Sequence, residues 1–341
     1  MKIYQLVSHP QKKDAIGRMA LNLNHLYKQK GHDGLVFTEK KESFHIGRYY
    51  WGSLRKGLLD SKPWGGHESP DIAMYQHSSG SVIADRFIDW PAHKKILIYQ
   101  NITPIELLSS EQSKKHAAWG LEQLPKLIQA ATVCVGTSRF NCEELKKYGA
   151  KEVIQIPYLL EKPKTFFHRK PNNLVLMVSR IEPYKGILEG VEAFALIKKE
   201  NPAYKMVIIG NTRANSDYVN KISKRIEELH LTKDIKIVGR ISDFWLDYYY
   251  SRANLLLILS LHEGFCVPII EAIQREVPVI AYDAGAVAET LGIGGKLVNS
   301  RKSEDILGAF SAIKNQNWLA AQKQRMIDMY QNLESFLKII Y

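Results

Sequence analysis

Cysteine is scarce in this chain. Its 341 residues hold three, Cys134, Cys142 and Cys266, an odd number with no metal-ligand spacing. That excludes a disulfide scaffold and points to free thiols in a reducing compartment. Long apolar runs are missing as well. The longest, around Leu255–Leu261, stops at His262 and Glu263, far short of the ~18 residues of a membrane-spanning helix. The first ten residues, MKIYQLVSHP, have neither an apolar core nor a small-residue cleavage site, so no secretory signal is expected there. Neither G-x-G-x-x-G nor a Walker A sequence occurs, which argues against an ordinary dinucleotide or P-loop site. Asp-x-Asp is absent throughout, so a metal held by that motif is not expected.

Positive charge, by contrast, is in excess. Lys and Arg outnumber Asp and Glu by 47 to 35, a net charge of +12, shared as +7 in residues 1–160 and +5 beyond. Such a surface suits an anionic nucleotide, an anionic membrane surface or nucleic acid, and it also fits a merely solvated exterior. No stacking-aromatic or basic-helix motif accompanies it, so nucleic acid is not expected. The length favours two domains.

Short apolar runs alternate with amphipathic stretches along the whole chain. Strands are expected at Ile3–Val7, Val36–Phe37, Asp71–His77, Lys95–Tyr99, Ala131–Gly136 and Val153–Ile156. A second set is expected at Leu174–Ser179, Lys205–Ile209, Ile235–Val238, Leu255–Leu259, Pro278–Ala281 and Lys296–Val298. Helices are expected between them, among them Met19–Gln29, Glu111–Gln129 with Gly120 and Pro125 as interruptions, Gly186–Glu200, Asp217–Leu229 and Trp245–Ser251. This alternation implies an α/β fold of two doubly wound parallel sheets. The polar, proline-bearing 161–173 reads as a linker between domains at 1–160 and 174–317, with a helical tail over 318–341.

The densest chemistry lies in Asn254–Asp283. Here an apolar strand runs into His262-Glu263-Gly264-Phe265, then a helix opens with Pro268 and carries Glu271. Proline is tolerated in a first helical turn. Amides of Gly264, Phe265 and Cys266 at such a turn suit a phosphate, and the two glutamates suit neutral polyol groups. Taken alone, the stretch also fits an ordinary βαβ unit with two solvated glutamates.

Glu263-Gly-Phe-Cys-Val-Pro-Ile-Ile-Glu271 resembles the E-x7-E motif of retaining GT-B glycosyltransferases, in particular glycosyltransferase family 4. Leu174–Gly186, LVLMVSRIEPYKG, resembles the family's strand ending in Arg and followed by Lys-Gly. Asp234–Ser242, DIKIVGRIS, resembles the strand before its nucleotide-base loop. The three occur in the family's order, and the resemblance is strong over most of 170–300.

The resemblance implies a GT-B fold of two Rossmann-like domains facing a central cleft, with the last helix crossing back to the first domain. It implies retaining, metal-independent transfer of a sugar from a UDP- or GDP-linked donor to a glycan or lipid-linked acceptor, in surface polysaccharide or lipopolysaccharide biosynthesis. No cofactor is implied; the nucleotide sugar is a co-substrate. A cytoplasmic place is implied, at the inner face of the membrane if the basic charge serves it. Arg180 and Lys185 would hold the diphosphate, Glu263 the sugar hydroxyls and Glu271 the ribose. Gly264, Phe265 and Cys266 would contact phosphate by their amides. Arg240, Ile241 and Asp243 would lie at the base, bordered by Gly210 and Asn211.

In the first domain, Asp14 and Gly17 resemble a GDAIG-type loop, and Ser78, Gln100 and Asn101 stand in segments that resemble acceptor-side turns. Two family histidines are replaced there by Gln76 and Gln100, and His77 is the best-placed histidine left for a catalytic part. Equally open are helix capping for Asp14 and a structural part for His77. The missing histidines also motivate another reading, a non-catalytic nucleotide-sugar-binding module. A GT-B sugar-nucleotide epimerase is a further one.

Overall fold

A computed structural model describes residues 1–8, 15–38, 51–53, 69–156, 158, 166–213, 215–314 and 318–328. The described residues up to Tyr158, apart from Leu107–Ser109, form one compact unit. Leu107–Ser109 and those from Phe166 onward form another.

In the first unit the order is β1 (Lys2–Val7), α1 (Ala15–Gln29), β2 (Asp33–Thr38), β3 (Trp51–Ser53), β4 (Ile72–His77), α2 (Val82–Asp89), β5 (Lys94–Tyr99), α3 (Glu111–Ala130), β6 (Val133–Gly136), α4 (Arg139–Lys147) and β7 (Val153–Gln155). Its seven strands are all parallel, in the order β3-β2-β1-β4-β5-β6-β7. Every residue of β4 is buried. Strands covered on both faces read as near-continuous apolar runs instead of alternating ones.

The second unit repeats the plan: β8 (Leu174–Val178), α5 (Ile187–Glu200), β9 (Lys205–Ile209), α6 (Ser216–Glu228), β10 (Ile235–Ile237), α7 (Asp243–Arg252), β11 (Ala253–Ile258), α8 (Val267–Ile273), β12 (Val279–Tyr282), α9 (Val287–Leu291), β13 (Lys296–Val298) and α10 (Ser303–Lys314). Its six parallel strands are ordered β10-β9-β8-β11-β12-β13. Val175, Ile208, Leu257 and Ile280 of the sheet share a core with Phe194 of α5 and Phe310 of α10. In both units the first strand is central and the order reverses beside it. Ligands of open α/β sheets meet the carboxyl ends of strands at such reversals. Here those points are the ends of β1 and β4, and of β8 and β11.

Two local expectations are corrected. Gly120 and Pro125 do not interrupt their helix, because α3 runs unbroken from Glu111 to Ala130. Gly120 is there for contact: a Cβ on it would lie 2.7 Å from the amide nitrogen of Gly80. Helix α2 was not foreseen. Ser81 is its N-cap and accepts from the amide of Ala84. The tail beyond residue 328 lies outside the described residues, as does Asp14.

Candidate functional site

Arg180 and Lys185 enter the second unit on the loop that follows β8. Pro183–Lys185 is one 3₁₀ turn, and Gly186 ends it in the left-handed conformation, φ +69°, before α5 begins. The turn is pinned to the neighbouring strand's end, since the amide of Leu261 donates to the carbonyl of Tyr184 at 2.8 Å. Tyr184 is buried, and its ring holds both cations: the Lys185 ammonium lies 4.8 Å and the Arg180 guanidinium 5.9 Å from its centre. Arg180 also donates to the Tyr184 hydroxyl.

Glu263 arrives from the end of β11, 78 positions away in sequence. Lys185 Nζ donates to its Oε1 at 2.7 Å, and the two side chains are 9% and 14% exposed. Burial alone would raise the Glu263 carboxyl, but the attraction and hydrogen bond of Lys185 outweigh it, with help from Ser260, and hold it below the usual range. Burial would likewise lower the Lys185 ammonium, and Glu263 reverses that, leaving it above its ordinary value. Each charge is thus the condition for the other at neutral pH. The backbone at Glu263 is fixed from the far side, where the amide of Ala286 donates to its carbonyl at 2.9 Å.

After Gly264 and Phe265 the chain turns through Cys266, which has φ +72° although it is not glycine, and α8 begins at Val267. Cys266 is buried, and burial raises its thiol well above the ordinary value, with Glu263 adding to the shift, so it stays a thiol. Thr290 Oγ1 donates to the carbonyl of Phe265. Glu271 is 5% exposed, and its Oε2 accepts from the Tyr250 hydroxyl at 3.2 Å. Gly210 follows β9, and its amide donates to the carbonyl of Gly239 at 3.1 Å. Asn211 Oδ1 accepts from the amide of Arg213. Arg240 and Asp243 are exposed, and Ile241 is half-buried between them. Ser242 caps α7 by accepting from the amide of Trp245. Among the described residues no three His, Cys, Asp or Glu side chains are grouped to hold a metal ion.

In the first unit, Gly17 is buried on α1 and Ser78 is half-buried past the end of β4. The amide of Gln76 sits between those of Gln5 and Gln100, at 3.3 and 3.1 Å. Asn101 has φ +75° and donates to Asn141 Oδ1 and to Glu144 Oε2, at 3.0 and 2.7 Å. His77 is wholly buried. Its Nε2 lies 2.9 Å from the carbonyl of Gly120, so that nitrogen carries the proton, and its Nδ1 faces the Tyr75 hydroxyl at 3.3 Å. In this structure both ring nitrogens serve the fold.

Burial pushes His77 down to about 4, against the opposing pull of the Gly120 carbonyl. A native value below the ordinary ~6.5 means that the unfolded chain takes the proton first. The stabilisation is therefore complete above pH ~6.5 and is lost as pH falls towards ~4, a span of about 3 kcal/mol. We expect His77→Gln to flatten this part of the stability curve in urea unfolding between pH 7 and 4.5. An unchanged slope would mean that His77 does not carry it.

Tyr184 was not marked by any spacing; it stands between two cations that were. Arg301 was missed too. It follows β13, pairs with Glu189 at 2.8 Å, and reaches the carbonyl of Leu259 at 3.4 Å.

The family model described as glycosyl transferases group 1 matches residues 160–330. The O-antigen chain mannosyltransferase RfbU of Salmonella typhimurium is 30% identical over 167 residues, 48% of this chain and 44% of the relative. The serotype-specific mannosyltransferase WbdA of Escherichia coli is 29% identical over 158 residues, 46% of this chain and 18% of the relative. The matched stretch thus spans less than half the length of either curated relative. Among solved structures, sucrose-phosphate synthase from Thermosynechococcus elongatus superposes with a TM-score of 0.74 at 18% identity, covering 98% of this chain and 95% of the other. Anabaena HepE in complex with UDP and glucose gives 0.70 at 16%, covering 100% and 99%. At these identities the likeness is one of fold, and it is the GT-B fold of two Rossmann-like domains.

Proposed function

Because the chain belongs to the glycosyl transferases group 1 family, we propose that it transfers a sugar, with retention and without a metal, from a nucleoside-diphosphate sugar to a glycan or lipid-linked acceptor. The observation that carries this reading is the buried Lys185–Glu263 pair, 2.7 Å apart, at the point where the second sheet reverses its order. Breaking the anomeric bond leaves charge on the departing diphosphate, and fixed cations stabilise such charge. An ammonium has three donors. One of Lys185's is spent on Glu263, which leaves two for phosphate oxygens. Arg180 adds a planar fork suited to two such oxygens. Glu263 would take the sugar hydroxyls, Glu271 the ribose, and the loop from Arg240 to Asp243 the base, with Gly210 and Asn211 beside it. The amides of Gly264, Phe265 and Cys266 would meet phosphate.

On the acceptor side the reading uses Asp14, Gly17, Ser78, Gln100 and Asn101. The curated relatives' names support a surface polysaccharide as the product. The net charge of +12 supports work against an anionic membrane from its cytoplasmic face.

The test is thermal unfolding with UDP, GDP, ADP or TDP, each with EDTA present. A nucleotide at ~100 times its dissociation constant adds ~2.7 kcal/mol of stability. One nucleotide is expected to raise the midpoint clearly, and its sugar donors then define the transfer assay. No shift with any of the four overturns the metal-free donor site.

A further inference from the structure

Asp247 is 2% exposed, and nothing in the proposed reaction uses it. Its Oδ2 accepts from the amides of Phe166 and Phe167, at 2.7 and 3.1 Å. These two residues open the described stretch of the second unit that runs from Phe166 onward. Its Oδ1 accepts from Arg275 Nε at 2.8 Å. Arg275 in turn donates through Nη1 to the backbone carbonyl of Glu271 at 3.0 Å, and its guanidinium lies 5.0 Å from the ring centre of Tyr250. Tyr250 is wholly buried and gives its hydroxyl proton to the Glu271 carboxylate. Burial, helped by the Glu271 charge, raises that phenol well above its ordinary value, so it remains a donor. A cavity of about 270 Å³ opens beside the network, lined in part by Phe166, Phe167, Asp247 and Arg275.

We infer that Asp247, Arg275 and Tyr250 are positioning residues that tie the chain segment at Phe166–Phe167 to the carboxylate of Glu271. Glu271 is thereby gripped twice, at its backbone by Arg275 and at its side chain by Tyr250. Arg275 is fixed in turn by a carboxylate whose other oxygen is committed to the incoming chain. A buried charge pair whose remaining lone pairs are satisfied in this way has a single geometry. A shift of the Phe166–Phe167 backbone is therefore passed to the glutamate, and the donor's ribose is held best in one setting of that segment. The inference rests on the proposed reading of Glu271.

The test measures, on the full chain, the affinity for the nucleoside diphosphate that gives the thermal shift, together with donor KM and kcat. Glu271→Gln examines the reading itself and is expected to weaken nucleotide binding. Tyr250→Phe removes only the hydroxyl. It is expected to raise Kd and donor KM about tenfold, the scale of one hydrogen bond to a charged group, with kcat at saturating donor within about twofold. Asp247→Asn keeps the shape but leaves one acceptor oxygen for Arg275 and the Phe166–Phe167 amides, so the tie between them is broken on one side, and the same split is expected. The double variant Asp247→Asn with Tyr250→Phe is expected to lose less than the product of the two single losses, because both act through one carboxylate. Should Asp247→Asn fail to fold, Tyr250→Phe and Arg275→Lys carry the test, since a lysine cannot reach Asp247 and the Glu271 carbonyl in the same fork. If Glu271→Gln weakens binding while Tyr250→Phe and the Asp247 or Arg275 variants leave Kd and KM unchanged, the positioning role is overturned. If Glu271→Gln itself changes nothing, the ribose assignment falls instead.

Discussion

Lys185→Ala is expected to lower kcat/KM roughly 10³-fold, the scale measured when one preorganised donor to a developing oxyanion is removed. The same change is expected to destabilise the second unit. Its partner Glu263 would remain buried without the ammonium paired to it, and breaking a buried pair in this way costs about 3–5 kcal/mol. In the native chain Lys185 holds the Glu263 carboxyl below its usual range against the push of burial. Without Lys185 only the Ser260 hydrogen bond and the attraction of Arg180 oppose that push, so Glu263 should take up a proton at a higher pH. Arg180→Ala separates the two effects. Arg180 is exposed, and its loss is expected to leave unfolding within ~0.5 kcal/mol of the parent while turnover still falls by about 10²-fold. Steady-state rates with the donor found by nucleotide screening, beside urea unfolding of each variant, supply the comparison. If both variants transferred sugar at the parent rate, the two residues would not hold the diphosphate.

The second large effect is expected at Gly186. This residue has φ +69°, and a Cβ there would lie 2.4 Å from the carbonyl oxygen of Leu259 and 2.6 Å from its Cβ. The left-handed backbone alone costs an alanine about 1–2 kcal/mol. The overlap adds more, because Leu259 follows a central strand and is itself buried. Relief requires the 3₁₀ turn to move, and Lys185 sits on that turn. Gly186→Ala is therefore expected to lose nucleotide affinity and stability together. Gly31 and Gly149 serve as controls: they too have positive φ, +79° and +99°, but nothing lies within 4 Å of a Cβ built on either. Alanine at those positions should show the backbone cost alone and leave nucleotide binding untouched. A Gly186→Ala protein indistinguishable from Gly31→Ala would show that the turn is not pinned as described.

The His77 titration bears on the first unit only. It follows from a ring with both nitrogens committed and no exposed face. Its sign is opposite to that of a histidine that gains an acidic partner, since here the folded chain resists the proton.

Much of the architecture was legible in the residues, for local reasons. Buried parallel strands must be apolar on both faces, so runs such as LVLMV and KMVII declared themselves. Lys205–Ile209 and Lys296–Val298 have the expected bounds. Helix ends were less legible, because a cap depends on one side chain: α7 begins at Asp243, two residues earlier than Trp245, since Ser242 accepts from the amide of Trp245. Gly120 and Pro125 misled the reading because propensity is a weak prior beside packing. At Gly120 the packing is with the Ser79–Gly80 backbone.

Pattern and order therefore suffice to name the fold class, the family and the strand ends that carry charge. Where those charges meet is another matter. Lys185 and Glu263 are 78 positions apart, and no local rule pairs them. They meet because β8 and β11 lie side by side at the reversal of strand order, which brings their carboxyl ends together. Burial likewise belongs to the whole fold. Tyr184, Tyr250 and Asp247 look like surface residues in a polar stretch, yet they hold the candidate ligands because the packed sheet excludes water around them. A single sequence carries the chemistry of each side chain, but its neighbours across the chain, and so the values at which it ionises, exist only once the tertiary structure has closed.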